Sequence, residues 1–149
     1  MKGARFLCLV LLAIPVILVV AERAGAQSQK ALLLFGGDDH KTFLGCLNCS
    51  SMSDTSVCNG FGKFGSSFET NSIWNSFGDY GSSFSAKSPW NSFSDKAPII
   101  VDADGKSYGY FSVNSFHHDR TKIDWIVALL TYAEKVDDLD KTRDKLCGD

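Results

Sequence analysis

The sequence predicts an α+β fold. A small antiparallel sheet comes from two hairpins flanking a short aromatic 16-residue repeat, C-terminal helices pack on that sheet, and disulfides link the parts. Three observations carry this reading: two apolar runs that each turn back through Gly and Asp, a Gly/Ser/Phe-rich centre that copies itself in register, and an amphipathic stretch near the C-terminus.

In the first hairpin-like segment, Ala31 to Phe35 leads through Gly36-Gly37-Asp38-Asp39-His40 to Thr42 to Cys46. In the second, Pro98 to Val101 leads through Asp102-Ala103-Asp104-Gly105 to Ser107 to Val113. Each has an apolar run, a Gly/Asp turn and a return strand in which an aromatic lies close to a Gly, the pattern of an antiparallel pair. Asp102-x-Asp104-Gly105 also invites a calcium-loop reading. Such a loop needs further oxygen ligands and a closing Glu, so a turn is the better expectation.

Between the hairpins, Ser56 to Phe68 aligns with Ser72 to Phe84, with 8 of 13 positions identical, and a truncated third copy begins at Ser88-Pro89-Trp90-Asn91-Ser92-Phe93. The aromatics Trp74, Phe77, Tyr80 and Phe84 match neither strand alternation nor one continuous helix, and Gly78 and Gly81 oppose a helix. The expected unit is a compound turn: Ser72 caps a helical turn through Phe77, Gly78 ends it, and Tyr80 to Phe84 runs extended. Stacked copies would bury their rings in a ladder that leans on the rest of the domain, because so few units do not stand alone. A disordered Ser/Gly linker would not carry so many large side chains in register.

After Arg120 the pattern is helical. Ile123, Ile126, Val127, Leu130 and Ala133 mark one face, Trp125, Leu129, Tyr132 and Val136 widen it, and Asp119 or Thr121 is placed to cap it. A second short helix, Asp138 to Leu146, carries mixed charges suited to a solvated face and brings Cys147 back to the body.

The N-terminus reads as a secretory signal peptide: Lys2 and Arg5, then an apolar run from Phe6 to Val20, then Ala24-Gly25-Ala26 as a small-x-small cleavage site. The run is short for a bilayer span. The expected organisation is residues 1–26 as signal peptide and 27–149 as a single mature domain. Within that domain lie a hairpin and Cys-x-x-Cys (27–50), the repeat region (56–95), a second hairpin (98–114) and the helices (120–147). Cleavage removes three basic residues and one acidic one, taking the net charge from −2 to −4. This acidity and the lack of a Lys/Arg cluster argue against nucleic acid and anionic membrane as partners.

Processing leaves four cysteines, Cys46, Cys49, Cys58 and Cys147, and an even number in an exported chain points to two disulfides. Three pairings are open. The short Cys46–Cys49 ring suits redox catalysts better than staples, and Cys58 stands where the other units have Trp74 and Trp90. The favoured arrangement therefore bonds Cys58 to Cys46 or Cys49, with the remaining one reaching Cys147. Two alternatives use the same residues: a thioredoxin-like redox site at Cys46 and Cys49, and a zinc site of His40, Cys46, Cys49 and Cys58.

The Leu-Leu-Leu-Phe-Gly-Gly start, Gly45-Cys46-Leu47-Asn48-Cys49, the Ser-x-Trp-Asn units and the Ile-Ile-Val-Asp…Tyr-Gly-Tyr-Phe hairpin together form a recognisable pattern. It resembles a group of small, largely uncharacterised exported bacterial proteins with tandem Ser-x-Trp-Asn-x-(Phe/Tyr)-Gly-x-(Tyr/Phe)-Gly-Ser units. The likeness covers roughly 32–114. It implies bacterial origin and export and brings no catalytic residue to carry over. Cys58 in place of Trp, and Phe where Tyr is frequent, are departures from the pattern.

The functional expectation is a secreted or periplasmic, non-enzymatic structural or binding module without a cofactor. Its partner is unknown, with a cell-envelope glycan or protein as the candidates, and nothing holds it to a membrane after cleavage. Trp74, Tyr80 and Trp90 are candidate stacking faces, with Asn75 and Asn91 as hydrogen-bonding groups, although tryptophans at repeat positions more often form core. The competing class is an enzyme: the thiol oxidoreductase above, or a small hydrolase using His40 with Asp38 or Asp39. His117-His118 reads as an exposed pair.

Overall fold

The computed structural model describes residues 29–148, so the signal-peptide expectation for residues 1–26 lies outside the described residues. Four strands, β1 (Leu33–Gly36), β2 (Thr42–Cys46), β3 (Ile99–Val101) and β4 (Ser107–Tyr110), form one antiparallel sheet in the order β2-β1-β3-β4. Both expected hairpins are present, and β1 pairs with β3 through Leu34 opposite Ile100. These two side chains, fully buried at the middle of the sheet, belong to the core.

Helix α1 (Asp124–Val136) follows the predicted face, burying Ile126, Leu129, Leu130 and Ala133 in the same core as the sheet. Its start differs from expectation. Neither Asp119 nor Thr121 is the N-cap; Ile123 is, with no side-chain cap, and the Thr121 hydroxyl accepts the Ile123 N–H one turn earlier. Asp137, in the left-handed region, ends α1. Asp138 then caps helix α2 (Leu139–Cys147) by accepting the Lys141 N–H, which with the Lys141 ammonium holds its carboxyl below the usual range.

Two disulfides are present, with a pairing that corrects the favoured one: Cys46 bonds Cys49, and Cys58 bonds Cys147. The cause is where each sulfur faces. Cys46 ends β2 and is locked beside Ser56 by backbone hydrogen bonds to Thr55 and Val57. Asn48, inside the short ring, accepts the Leu32 N–H and donates to the Lys30 carbonyl, so the ring is folded back on the start of β1. Cys58 faces the helical layer, where the last turn of α2 brings Cys147.

The Asp102 turn is a turn, as expected. Its buried carboxylate accepts the N–H groups of Asp104 and Lys106, the Tyr108 hydroxyl and the Lys30 ammonium. These donors, the Lys106 N–H foremost, hold its pKa at about 2. A carboxyl whose native pKa lies below its unfolded value of about 4 stabilises the fold above that value and loses the contribution as pH falls toward 2. Acid unfolding of Asp102→Asn, followed by circular dichroism, should therefore show a flatter dependence between pH 4 and pH 2 than the parent. Separately, Cys58 and Cys147 are 89 residues apart, and the loop they close constrains the unfolded chain by about 4.5 kcal/mol. Cys58→Ser/Cys147→Ser should lower the urea midpoint and raise the m-value, because the unfolded chain freed of the crosslink exposes more surface.

Candidate functional site

The central segment contains neither the helical turn nor the extended run expected of each unit. Instead the backbone makes one β-turn after another. The N–H of Ser53 bonds to the Ser50 carbonyl, Ser56 to Ser53, Asn59 to Ser56, Gly62 to Asn59 and Ser66 to Gly62, so steps of three residues are broken once by a step of four. Ser72 to Ser88 follows the same course through Asn75, Gly78, Ser82 and Ser85.

Side chains account for this backbone. At one corner after another a Ser hydroxyl or Asn carbonyl accepts the N–H two residues ahead: Ser56 from Cys58, Ser72 from Trp74 and Ser88 from Trp90; Asn59 from Phe61, Asn75 from Phe77 and Asn91 from Phe93; Ser66 from Phe68 and Ser82 from Phe84. Each Asn also donates its amide to the carbonyl six residues back, Ser53, Glu69 or Ser85. Local bonds of this kind compete with helix and strand, and here they replace both. Gly65 and Gly81 close each unit against the backbone of Asn59 and Asn75, where a Cβ would overlap the carbonyl.

The pattern extends past the segments that align in sequence. Ser50 accepts from Met52, which lies sixteen residues before Phe68. Asn114 accepts from Phe116 as the earlier Asn residues do, and its amide reaches the Ser94 carbonyl. The Val113 N–H bonds to the Pro89 carbonyl, laying this further turn over the third unit, with the β3–β4 hairpin inserted between them.

Aromatic side chains divide into two populations. Trp74 and Trp90 are 3% and 8% exposed, stack with centroids 5.4 Å apart and an interplanar angle of 24°, and donate their indole N–H groups to the carbonyls of Val57 and Ile73 in the preceding unit. Tyr80 is buried against Gly36, and Phe64 meets Phe43 edge-on at 4.9 Å. Phe61, Phe68, Phe77, Phe84, Phe93 and Phe116 are each at least 91% exposed, and Met52 is 87% exposed. The expected ladder of buried rings thus holds for the indoles and fails for these phenylalanines, which stand outside the fold.

The candidate platform residues are accordingly placed as core and scaffold. Trp74, Tyr80 and Trp90 present no free stacking face, because each is packed in the interior. Asn75 and Asn91 are half-buried with both ends of the amide engaged in turns. Sequence reasoning missed the exposed phenylalanines, for which the only available signal was position: each lies two residues beyond a Ser or Asn that caps a turn.

A groove of about 970 Å³ runs between Phe68, Phe77 and Phe84 on one side and Asp137, Asp138 and Asp140, where α1 meets α2, on the other, with the edges of Trp74 and Trp90 beneath. A second concavity of about 680 Å³ is bordered by His40, Tyr108, Tyr110, His118 and Arg120. There the His40 Nε2 lies 3.2 Å from the Ala97 carbonyl, and the ring meets Tyr110 edge-on. His117 stacks between Tyr110 and His118, so of the pair only His118 is exposed, paired with Asp119.

The alternative chemistries do not assemble. Asp38 pairs with Lys96 and Lys87, and Asp39 with Lys41; these ammonium groups, through hydrogen bonds first, hold both carboxyls below the usual range. Neither aspartate orients His40. Cys46 ends β2 and Cys49 lies in the bend that follows, leading into a series of turns, without the helix that a thioredoxin-like motif opens. The suggested zinc set of His40, Cys46, Cys49 and Cys58 is corrected too, since all three of its cysteines are disulfide-bonded and offer no thiolate. Among the described residues no group of three or more His, Cys, Asp or Glu side chains is placed to hold a metal ion, and no helix is long and apolar enough to cross a membrane.

The division of the aromatics sets up a direct contrast. Trp74→Ala should cost about 3 to 5 kcal/mol in chemical unfolding, from lost burial and an orphaned carbonyl. Phe77→Ser, removing a ring that covers nothing, should lie within about 0.5 kcal/mol of the parent. Comparison with known proteins finds no matching family model, no similar curated protein and no similar solved structure.

Proposed function

We propose that this chain is an exported, non-enzymatic binding module, stapled by two disulfides, whose contact surface is its set of outward phenylalanines. The observation that carries the reading is that six Phe rings are at least 91% exposed while the Trp rings of the same units are buried. A chain able to bury indoles in register has no stability reason to keep phenylalanines in water, and concentrated exposed apolar area on a folded protein marks a contact surface.

Rigidity supports the same reading. The N–H of every one of these phenylalanines is fixed by the capping oxygen of a residue two positions earlier, including that of Phe116, fixed by Asn114 on a turn beyond the aligned units. Rings held on ordered turns lose less freedom on binding than rings on a loose loop. Export follows from the N-terminal pattern of residues 1–26 and agrees with two disulfides, which persist in oxidising compartments. Kinship with the exported bacterial group that carries Ser-x-Trp-Asn units, and a partner in the cell envelope, whether glycan or protein, belong to this proposal.

Two measurements test it. Mass spectrometry of protein recovered from a bacterial periplasm or medium should give a chain starting at Gln27 and lacking four hydrogens relative to the fully reduced form. In co-sedimentation with insoluble peptidoglycan and with envelope protein extracts, the parent should be retained and Phe68→Ser/Phe77→Ser/Phe84→Ser released, at equal thermal stability. Equal retention of both would remove the rings from the contact surface.

A further inference from the structure

We infer that one row of these rings, Phe61, Phe77, Phe93 and Phe116, is a self-complementary seam through which two copies of this chain pair. The inference rests on the reading of the exposed rings as a contact surface and names the occupant.

Area is the first argument. An aromatic side chain buries roughly 150 to 250 Å². Four fully exposed rings therefore offer roughly 600 to 1,000 Å², which brackets the roughly 800 Å² that each partner contributes to a standard stable interface.

Periodicity is the second. The four rings occupy equivalent turn positions, each two residues after Asn59, Asn75, Asn91 or Asn114. Rings that are at least 91% exposed do not cover one another, so the space between neighbours is open. The body that fits a row of teeth with a given spacing and rotation is a second row with the same spacing and rotation. A second copy supplies this without further design. Set antiparallel about a two-fold axis between Phe77 and Phe93, the rings of each copy enter the gaps of the other in an isologous contact.

Charge sets the conditions. Asp79 and Asp95 follow Phe77 and Phe93 by two residues and are exposed, with Asp79 3.8 Å from Lys87; the like charge that opposes pairing is the net −4 that each copy of residues 27–149 carries. Salt then strengthens pairing by screening that charge, the opposite of its effect on attraction between opposite charges.

Sedimentation velocity of the oxidised chain across a hundredfold concentration range, at low and high salt, tests this. The expected result is a shift from one to two chains with rising concentration, at lower concentration in high salt. Phe77→Ser/Phe93→Ser at the axis should weaken pairing at least tenfold more than Phe61→Ser/Phe116→Ser at the ends, and both should match the parent's melting curve at concentrations low enough for the parent to be a single chain. If the inner double variant fails to fold, the outer one, which should still weaken pairing, carries the test. A single chain at every concentration and salt overturns the inference. If that monomer binds peptidoglycan or zwitterionic phosphatidylcholine vesicles in a ring-dependent way, the contact-surface reading survives with another occupant; if it binds neither, both readings fall.

Discussion

A hydrogen bond from a backbone N–H to the side-chain oxygen two residues earlier, made again and again by Ser and Asn, is the interaction on which this molecule depends. Backbone polar groups withdrawn from water need partners, and helices and sheets are the usual source. From Ser50 to Ser94 the chain uses neither. It bends at short intervals, and the capping oxygens together with the turn bonds satisfy much of the backbone locally. This explains why a composition that suggests a flexible linker belongs to an ordered body: the serines and asparagines act as internal fasteners.

Local turns alone would not hold adjacent units together, and here the tryptophans act. Trp74 and Trp90 stack, and each indole N–H crosses to a carbonyl of the preceding unit, so one side chain supplies both apolar burial and a directional bond. The first unit has no preceding unit for its side chain to reach, and there Cys58 replaces the indole with a covalent bond to the end of α2. The same inward position is thus filled by stacking where a neighbour exists and by a disulfide where it does not.

With the interior served by Trp74, Tyr80, Trp90, Phe111 and the aliphatic core, the six exposed phenylalanines are released from packing duty. Their exposure is a feature that stability does not explain, and it lies on a regular series of turns. Ordered, regularly spaced apolar rings suit partners that are themselves regular. A second copy is the simplest such body.

The sequence by itself determined the two hairpins, the helix after Arg120, the involvement of four cysteines and the presence of a sixteen-residue unit, because each rests on local periodicity or local turn chemistry. It did not determine the shape of the unit. Ser72 caps a helical turn and a β-turn with the same oxygen, and only the close approach of Gly81 to Asn75 shows which the chain has made. Three further matters were decided by tertiary structure: which cysteines pair, which aromatics turn inward, and where the pattern resumes at Asn114 after an inserted hairpin. The reason is common to all three. Direction relative to a core, and distance across the chain, exist only once the sheet, the turns and the helices are packed together.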